Sequence, residues 1–218
     1  MKPAKIESLR RAALAGIAGA AATVMGAAVV QAAVQPRTDV PDDRWSYPWS
    51  SSALVPMSIL WASLHVLVFL GVLGFARSGL AGTTRTARGG LALALGGTAL
   101  LFVGELASIP VRHQGVDDTG AAIVGGVFAA ATVLTAVGFL AAGIATVRAR
   151  LWRGWRRFAP LSVGIAACVL LGLTSTKELP TGIALYAVCL LALGIALYTE
   201  PLATQADAIP LAPQEQTA

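Results

Sequence analysis

Six apolar segments divide this chain, and each is close to the length of a helix that crosses a lipid bilayer. They cover residues 12–34, 53–76, 90–109, 121–147, 160–176 and 182–199. A transmembrane helix needs about 20 mostly apolar residues, and a soluble domain rarely combines 56% apolar with 12% charged residues. The pattern predicts an all-α bundle of six transmembrane helices within residues 1–200, followed by a disordered cytoplasmic tail at 201–218.

The basic residues are divided unevenly between the two sets of loops. Of 16 Lys and Arg residues, four lie in the N-terminal stretch, three at 77–88 and five at 148–157. Because basic loops stay in the cytoplasm, the sequence predicts a multi-pass protein with both termini cytoplasmic. Short basic loops beside apolar spans attract lipid headgroups, so we expect no nucleic-acid partner. The first segment could instead be a signal peptide, but its run of about 23 residues exceeds the usual ~7–15 and favours a retained helix.

The three odd-numbered segments share a spacing between an arginine and a glycine. In each, the arginine precedes the glycine by 16 residues: Arg10 and Gly26, Arg88 and Gly104, Arg156 and Gly172. The even-numbered segments share a weaker motif around Gly71, Gly138 and Gly194. This register suits three consecutive parallel helical hairpin repeats, and chance alignment among 23 glycines is the alternative. If the repeat is real, we expect the three odd-helix glycines to lie in close helix contacts.

Two ionisable side chains lie inside the apolar segments. His65 is near the middle of the second segment, with Trp61 one turn away, and Glu105 is near the outer end of the third. Ionisable groups at membrane depth are costly and indicate function by default. One interpretation places both on an outward-opening polar cavity, joined by a water or a ligand. The alternative is that Glu105 is protonated or pairs with Arg44 or Arg112, and that His65 hydrogen-bonds a backbone carbonyl.

The longest outer loop, 35–52, carries the aromatic residues Trp45, Tyr47 and Trp49. Alternate residues of an extended chain point to one face, so the three rings can act together. Trp and Tyr in such a place ordinarily anchor a protein at the headgroup level. The second interpretation is a lid over a cavity that holds Glu105, because acidic and basic residues directly precede the aromatic ones.

Three further features carry a family resemblance: the long polar first outer loop, GELASIP at the end of the third segment and VDDTGAA at the entry to the fourth. In these the chain is similar to uncharacterised six-span bacterial membrane proteins of the domain-of-unknown-function kind, with an actinobacterial bias toward Ala, Gly and Arg. Such proteins can open the fourth helix with a histidine, where this chain has Asp117, Asp118 and Thr119. The resemblance implies six spans in a bacterial cell membrane, and it implies no activity.

The sequence contains no catalytic, metal-binding or cofactor motif such as HExxH, GxSxG, a Walker loop or CxxC. We therefore expect no metal and no cofactor, and an enzymatic role is unsupported. The leading hypothesis is a non-enzymatic module that binds a lipid, a small amphiphile, a partner membrane protein or a second copy. Its outward-facing pocket would be lined by His65, Glu105, Trp61, Trp45, Tyr47 and Trp49. A small-solute transporter or channel is the second hypothesis, and a membrane-embedded lipid-modifying enzyme is the third.

Overall fold

The computed structural model describes residues 3–174 and 176–206, which form helices and no β-strand. The six long helices are α1 (Pro3–Val29), α2 (Ser51–Ser78), α3 (Arg85–Ser108), α4 (Thr119–Ala149), α5 (Ala159–Leu173) and α6 (Leu179–Ala206). A π-helical turn (Val30–Val34) and a 3-10 turn (Gln35–Arg37) extend α1, and a 3-10 turn (Gly154–Phe158) leads into α5. With these turns included, all six are long and apolar enough to cross a membrane. The predicted all-α bundle of six transmembrane helices is confirmed.

Local signals in the sequence set several helix ends. The hydroxyls of Ser50 and Thr84 accept hydrogen bonds from the first turns of α2 and α3, at 3.3 and 3.1 Å, which pairs backbone N–H groups that the helix leaves free. Gly79 ends α2 with a φ of 79°, a left-handed conformation that glycine adopts at little cost.

Two boundaries differ from the sequence prediction. α5 ends at Leu173, three residues before the predicted end of the fifth span at 176. α6 continues to Ala206, so the helix includes the first six residues of the segment 201–218 that the sequence assigns to a disordered tail. The remainder of that tail, 207–218, lies outside the described residues.

The six helices form a closed ring in sequence order. Each helix packs against the next one along the chain, and α6 packs against α1 to complete the ring. Successive helices run in opposite directions, so the α1–α2, α3–α4 and α5–α6 loops lie at one end, here called the loop face. The start of α1, the α2–α3 and α4–α5 connections and the end of α6 lie at the other end, the basic face.

The outside of the ring is apolar, as a lipid-facing surface must be. Each helix exposes large hydrophobic side chains, among them Leu14, Ile59, Val103, Ile123, Ile165 and Ile195. Exposed apolar surface spread around a whole bundle is costly in water and stable in lipid. The fold is therefore that of a multi-pass membrane protein.

The contact between α3 and α4 depends on a stripe of glycines. Gly90, Gly97 and Gly104 recur every seven residues on the side of α3 that faces α4, and a Cβ atom added at any of them would fall within 3.0 Å of an atom of α4. Gly89 and Gly96, one position away, have no atom within 4 Å of such a Cβ. The stripe lets the two backbones approach closely, which is how small residues stabilise helix pairs in lipid.

The predicted hairpin register appears in two of the three hairpins. The ring of Trp61 lies on Gly26, and the ring of Phe128 lies on Gly104. Each aromatic residue stands ten positions before the shared glycine of its own helix, Gly71 in α2 or Gly138 in α4. Gly172 is exposed, with no atom near its Cβ position. The expectation of a close contact at Gly172 was wrong, because α6 has an alanine at the equivalent position and so no ring to place there.

The shared glycines of the even-numbered helices also differ between the first two hairpins and the third. Gly71 packs on Gly16, and Gly138 packs on Ala94, which holds the equivalent position in the second hairpin. Gly194 packs on α1 instead of on its own hairpin partner. The third hairpin thus uses its glycine to close the ring, which explains why the repeat is incomplete.

Large side chains fill the ring toward the basic face. The rings of Phe75 and Trp152 are stacked with centroids 5.5 Å apart and planes at 18°. Phe139 and Leu197 are also fully buried within the same cluster, to which all six helices contribute. Packed side chains therefore fill the basic half of the bundle, where the buried Trp152 Nε1 atom has no hydrogen-bond partner in the described residues.

Candidate functional site

Glu105 lies on the interior face of α3. It continues a stripe of buried residues with three- and four-residue spacing that includes Ala87, Ala94 and Thr98, and residues with that spacing share one side of a helix. Val103 lies on the opposite side and is 50% exposed. The half-buried Glu105 side chain therefore points into the ring near the loop face.

The basic residues that could neutralise Glu105 bind elsewhere. Arg44 donates from Nη1 to the carbonyl of His113 at 3.2 Å, and Arg112 donates from Nη1 to the carbonyl of Ile109 at 2.9 Å. No ion pair or hydrogen bond joins the Glu105 carboxyl to another described residue. The ion-pair alternative for Glu105 is therefore absent from the structure, whereas protonation and a ligand-bound cavity stay predictions.

His65 also lies on an interior stripe, between the buried Ser58 and Val72 of α2. Its Nδ1 is 2.8 Å from the carbonyl oxygen of Trp61. Since a carbonyl oxygen only accepts, Nδ1 carries the proton in this contact, and Nε2 of the neutral ring is left as an acceptor. This backbone hydrogen bond is the one that the alternative interpretation of His65 expects, and Nε2 makes no hydrogen bond in the described residues.

Three further polar groups that no sequence pattern indicated have unpaired oxygen atoms. The Gln31 Oε1, Thr135 Oγ1 and Tyr186 hydroxyl atoms are buried and have no hydrogen-bond partner within the described parts of the chain. Counted along the helices at about 1.5 Å per residue from Ser78, Ala149 and Glu200, which end three of the apolar spans at the basic face, the residues His65, Thr135 and Tyr186 all lie about 20 Å away. Glu105 lies about 30 Å from Arg85, where α3 begins.

Near the basic face, the buried unpaired atoms of the described residues are side-chain nitrogens of Arg10, Trp152, Arg156 and Arg157. The unpaired oxygen atoms thus lie from mid-depth toward the loop face, and the unpaired nitrogen donors lie near the basic face.

Threonines inside apolar helices are visible in the sequence, but the sequence does not show which of their hydroxyls lack a hydrogen-bond partner. Thr98, Thr132 and Thr146 are buried in the same helices, yet each hydroxyl donates to a carbonyl of its own helix at 2.8 Å. Such bonds satisfy a hydroxyl without any ligand. Thr135 makes no such bond, and only its position in the packed structure separates it from the other three.

The α1–α2 loop, residues 38–50, is fastened to the α3–α4 loop by backbone hydrogen bonds. Trp45 donates its N–H to the carbonyl of Gln114 at 3.0 Å, and Val116 donates its N–H to the carbonyl of Asp43 at 2.8 Å. The Ser51 hydroxyl donates to the same loop at 3.1 Å. These contacts hold the loop across the end of the bundle instead of letting it extend away from it.

Among the predicted aromatic residues, Trp45 is the one that connects the loop to the end of α3. Its ring centroid is 6.4 Å from that of Phe128, and Phe128 packs on the glycine directly before Glu105. Tyr47 and Trp49 are half-buried and take part in neither ring pair found in the described residues. The structure thus brings Trp45 toward the Glu105 end, and it does not bring the three rings together.

The polar groups can bind hydrogen-bonding ligands, but they do not form a metal site. No group of three His, Cys, Asp or Glu side chains in the described residues is arranged to hold a metal ion. No protein-family model matches the chain, and neither a curated protein nor a solved structure matches it. Fold and site therefore define its class: a six-helix membrane ring that is filled by packed side chains at its basic half and carries unpaired oxygen atoms from mid-depth toward its loop face.

Proposed function

We propose that this protein is a non-enzymatic membrane module that binds a lipid or small amphiphile from its loop face. The one-sided distribution of unpaired acceptor atoms carries the proposal, because the unpaired buried atoms near the basic face are nitrogen donors. Glu105, His65 and Tyr186 offer hydrogen-bonding atoms at mid-depth and beyond, whereas the stacked Phe75 and Trp152 fill the basic half. Such an interior suits a ligand that enters and leaves on the same side.

The free atoms indicate the kind of headgroup. The Gln31 Oε1 atom, the Glu105 carboxyl and Nε2 of His65 can accept hydrogen bonds, so the ligand should carry hydroxyl or amine donors. The nearby rings of Trp61 and Phe128 offer an apolar wall, and aromatic faces also attract cations. A small amphiphile with a donor-rich headgroup satisfies both features.

The proposal also fixes an orientation. The loop face is the outer face of a bacterial plasma membrane, and both termini are cytoplasmic. Support comes from the concentration of Arg and Lys in the N-terminal stretch and in the two basic-face connections, as expected for cytoplasmic loops. Transport is the weaker candidate, since a continuous path would require the Phe75 and Trp152 rings to separate.

The test compares Glu105→Gln and Glu105→Leu with Leu106→Ala, a change at the exposed neighbouring residue. Native mass spectrometry of protein purified in mild detergent counts the bound masses. Glu105→Leu should lose the bound molecule, Glu105→Gln should keep part of it, and Leu106→Ala should match the wild type. Equal occupancy in all four proteins, or none in the wild type, would refute the proposal.

A second readout separates loss of binding from loss of folding. An unpaired buried polar group costs about 1–3 kcal/mol, so ligand-free Glu105→Leu should be more stable than the ligand-free wild type by about that amount. Unfolding in a denaturing detergent measures the free energy. A variant that loses both ligand and stability would show that Glu105 supports the fold and not a ligand.

A further inference from the structure

A groove of 270 Å³ opens on the flank of the bundle between α1 and α2, beside the basic face. Arg11 and Arg77 lie at its polar end, and Leu70, Leu73 and Ala15 form its apolar wall. Leu70 and Arg77 are seven residues apart on one helix, so the two ends are separated by about 10 Å. The groove therefore has the polarity of one lipid molecule at the edge of a bilayer.

The floor of the groove is a close helix contact. A Cβ atom added to Gly74 would lie 2.6 Å from the Cβ of Ala12, so the two backbones approach closely at this point. The groove lies beside that contact, with Ala15 of α1 on one side and Leu70 and Leu73 of α2 on the other. Leu70 is 40% exposed and Leu14 is 50% exposed, so the apolar wall continues into the lipid-facing surface.

The charge of the groove is positive. Arg77 is exposed and forms no ion pair with any described residue. Arg11 is paired with Glu7, but a guanidinium has five N–H donors, so others remain for a ligand. Because the charge of Glu7 offsets only one of the two arginines Arg11 and Arg77, the polar end of the groove keeps a net positive charge.

We propose that this groove binds one anionic phospholipid, with its phosphodiester at Arg77 and Arg11 and an acyl chain along Leu70 and Leu73. The positive end selects an anionic headgroup, and the apolar wall that continues into the lipid-facing surface selects a lipid over a free anion. The site lies at the opposite end of the bundle from Glu105 and does not depend on the function proposed above.

The test uses nanodiscs with equal amounts of phosphatidylglycerol and phosphatidylcholine, from which the protein is released for native mass spectrometry. The variant is Arg77→Gln. The matched control is Arg85→Gln, an exposed arginine of the same face that does not line the groove. A basic residue near an anionic headgroup contributes about 1 kcal/mol, so Arg77→Gln should lower phosphatidylglycerol retention about fivefold. Arg77→Lys, which keeps the charge, should retain most of it.

Two further measurements make the outcome decisive. Ala15→Phe should expel the lipid while both arginines are intact, because the added ring occupies the apolar wall. Millimolar inorganic phosphate should not displace the lipid. Equal loss in the Arg77→Gln and Arg85→Gln proteins, equal retention of the two lipids by the wild type, or displacement by phosphate would overturn the proposal. Circular dichroism confirms that each variant is folded.

Discussion

Replacing Gly97 by alanine should push α3 and α4 apart, whereas the same replacement at Gly96 should not. A Cβ atom at Gly97 would lie 2.6 Å from the backbone N of Thr135 and 2.7 Å from the carbonyl oxygen of Ala131. Both atoms belong to the α4 backbone, so no side-chain rotation can relieve the contact. The helices must separate by about 1 Å to regain ordinary van der Waals distances of ~3.5 Å.

The pair of variants isolates the cost of that separation. Both replacements gain the same helix propensity, up to about 1 kcal/mol, and both add one methyl group. Only Gly97→Ala adds it to a packed interface, where overpacking costs about 1–3 kcal/mol. We therefore expect Gly97→Ala to be less stable than Gly96→Ala by about 1–3 kcal/mol, and Gly96→Ala to equal or exceed the wild type.

Unfolding in mixed micelles with increasing dodecyl sulfate, followed by tryptophan fluorescence, measures both free energies in one series. The relevant quantity is the difference between the two variants, since it cancels the propensity term and any common effect of the detergent. Equal stability of Gly97→Ala and Gly96→Ala would show that α3 and α4 are not in the close contact that the glycine stripe provides.

The other two predictions concern the closed half of the bundle and its orientation. Trp152→Ala should destabilise the protein by about 3–5 kcal/mol, because this ring is 1% exposed and stacked in the core. Trp155→Ala should cost less than ~1 kcal/mol, because the Trp155 side chain is 54% exposed. Similar costs in the same unfolding assay would contradict the closed core. In a cysteine-free background, an impermeant thiol reagent should label Ser52→Cys in intact cells and Thr83→Cys only after permeabilisation, and the reverse pattern would place the loop face in the cytoplasm.

Hydropathy and charge predict those features of the fold that the surrounding lipid determines. The six spans follow from apolar length, and the interior positions of Glu105 and His65 follow from helical spacing. Whether two helices become neighbours depends on shape at single residues. Gly26 and Gly104 receive a ring from the following helix, and Gly172 does not, although the three share one sequence spacing.

The contacts between the loops are even harder to predict from the sequence than the contacts between the helices. The pairing of Arg44 with Gly115 joins two loops through backbone atoms, which all residue types share. The aromatic spacing suggested that Trp45 and Trp49 act on one face, but an irregular loop does not keep the alternation of a strand. The expectation of an extended segment at residues 45–49 was therefore wrong, because hydrogen bonds from Tyr47 to Arg44 and from Trp49 to Ser46 fold it into turns, and the role of its aromatic residues stays a prediction.

The closed ring has a consequence for the order of assembly. Helices are made in sequence, so α1 can pack on α2 early, while the side of α1 around Ile17 waits for Gly194 of α6. Until α6 is inserted, the bundle has a lateral gap through which lipid can reach the interior side chains His65 and Glu105. If the proposed amphiphile binds, the growing bundle can enclose it before the chain is complete, and its later release would depend on the loop face instead of on that gap.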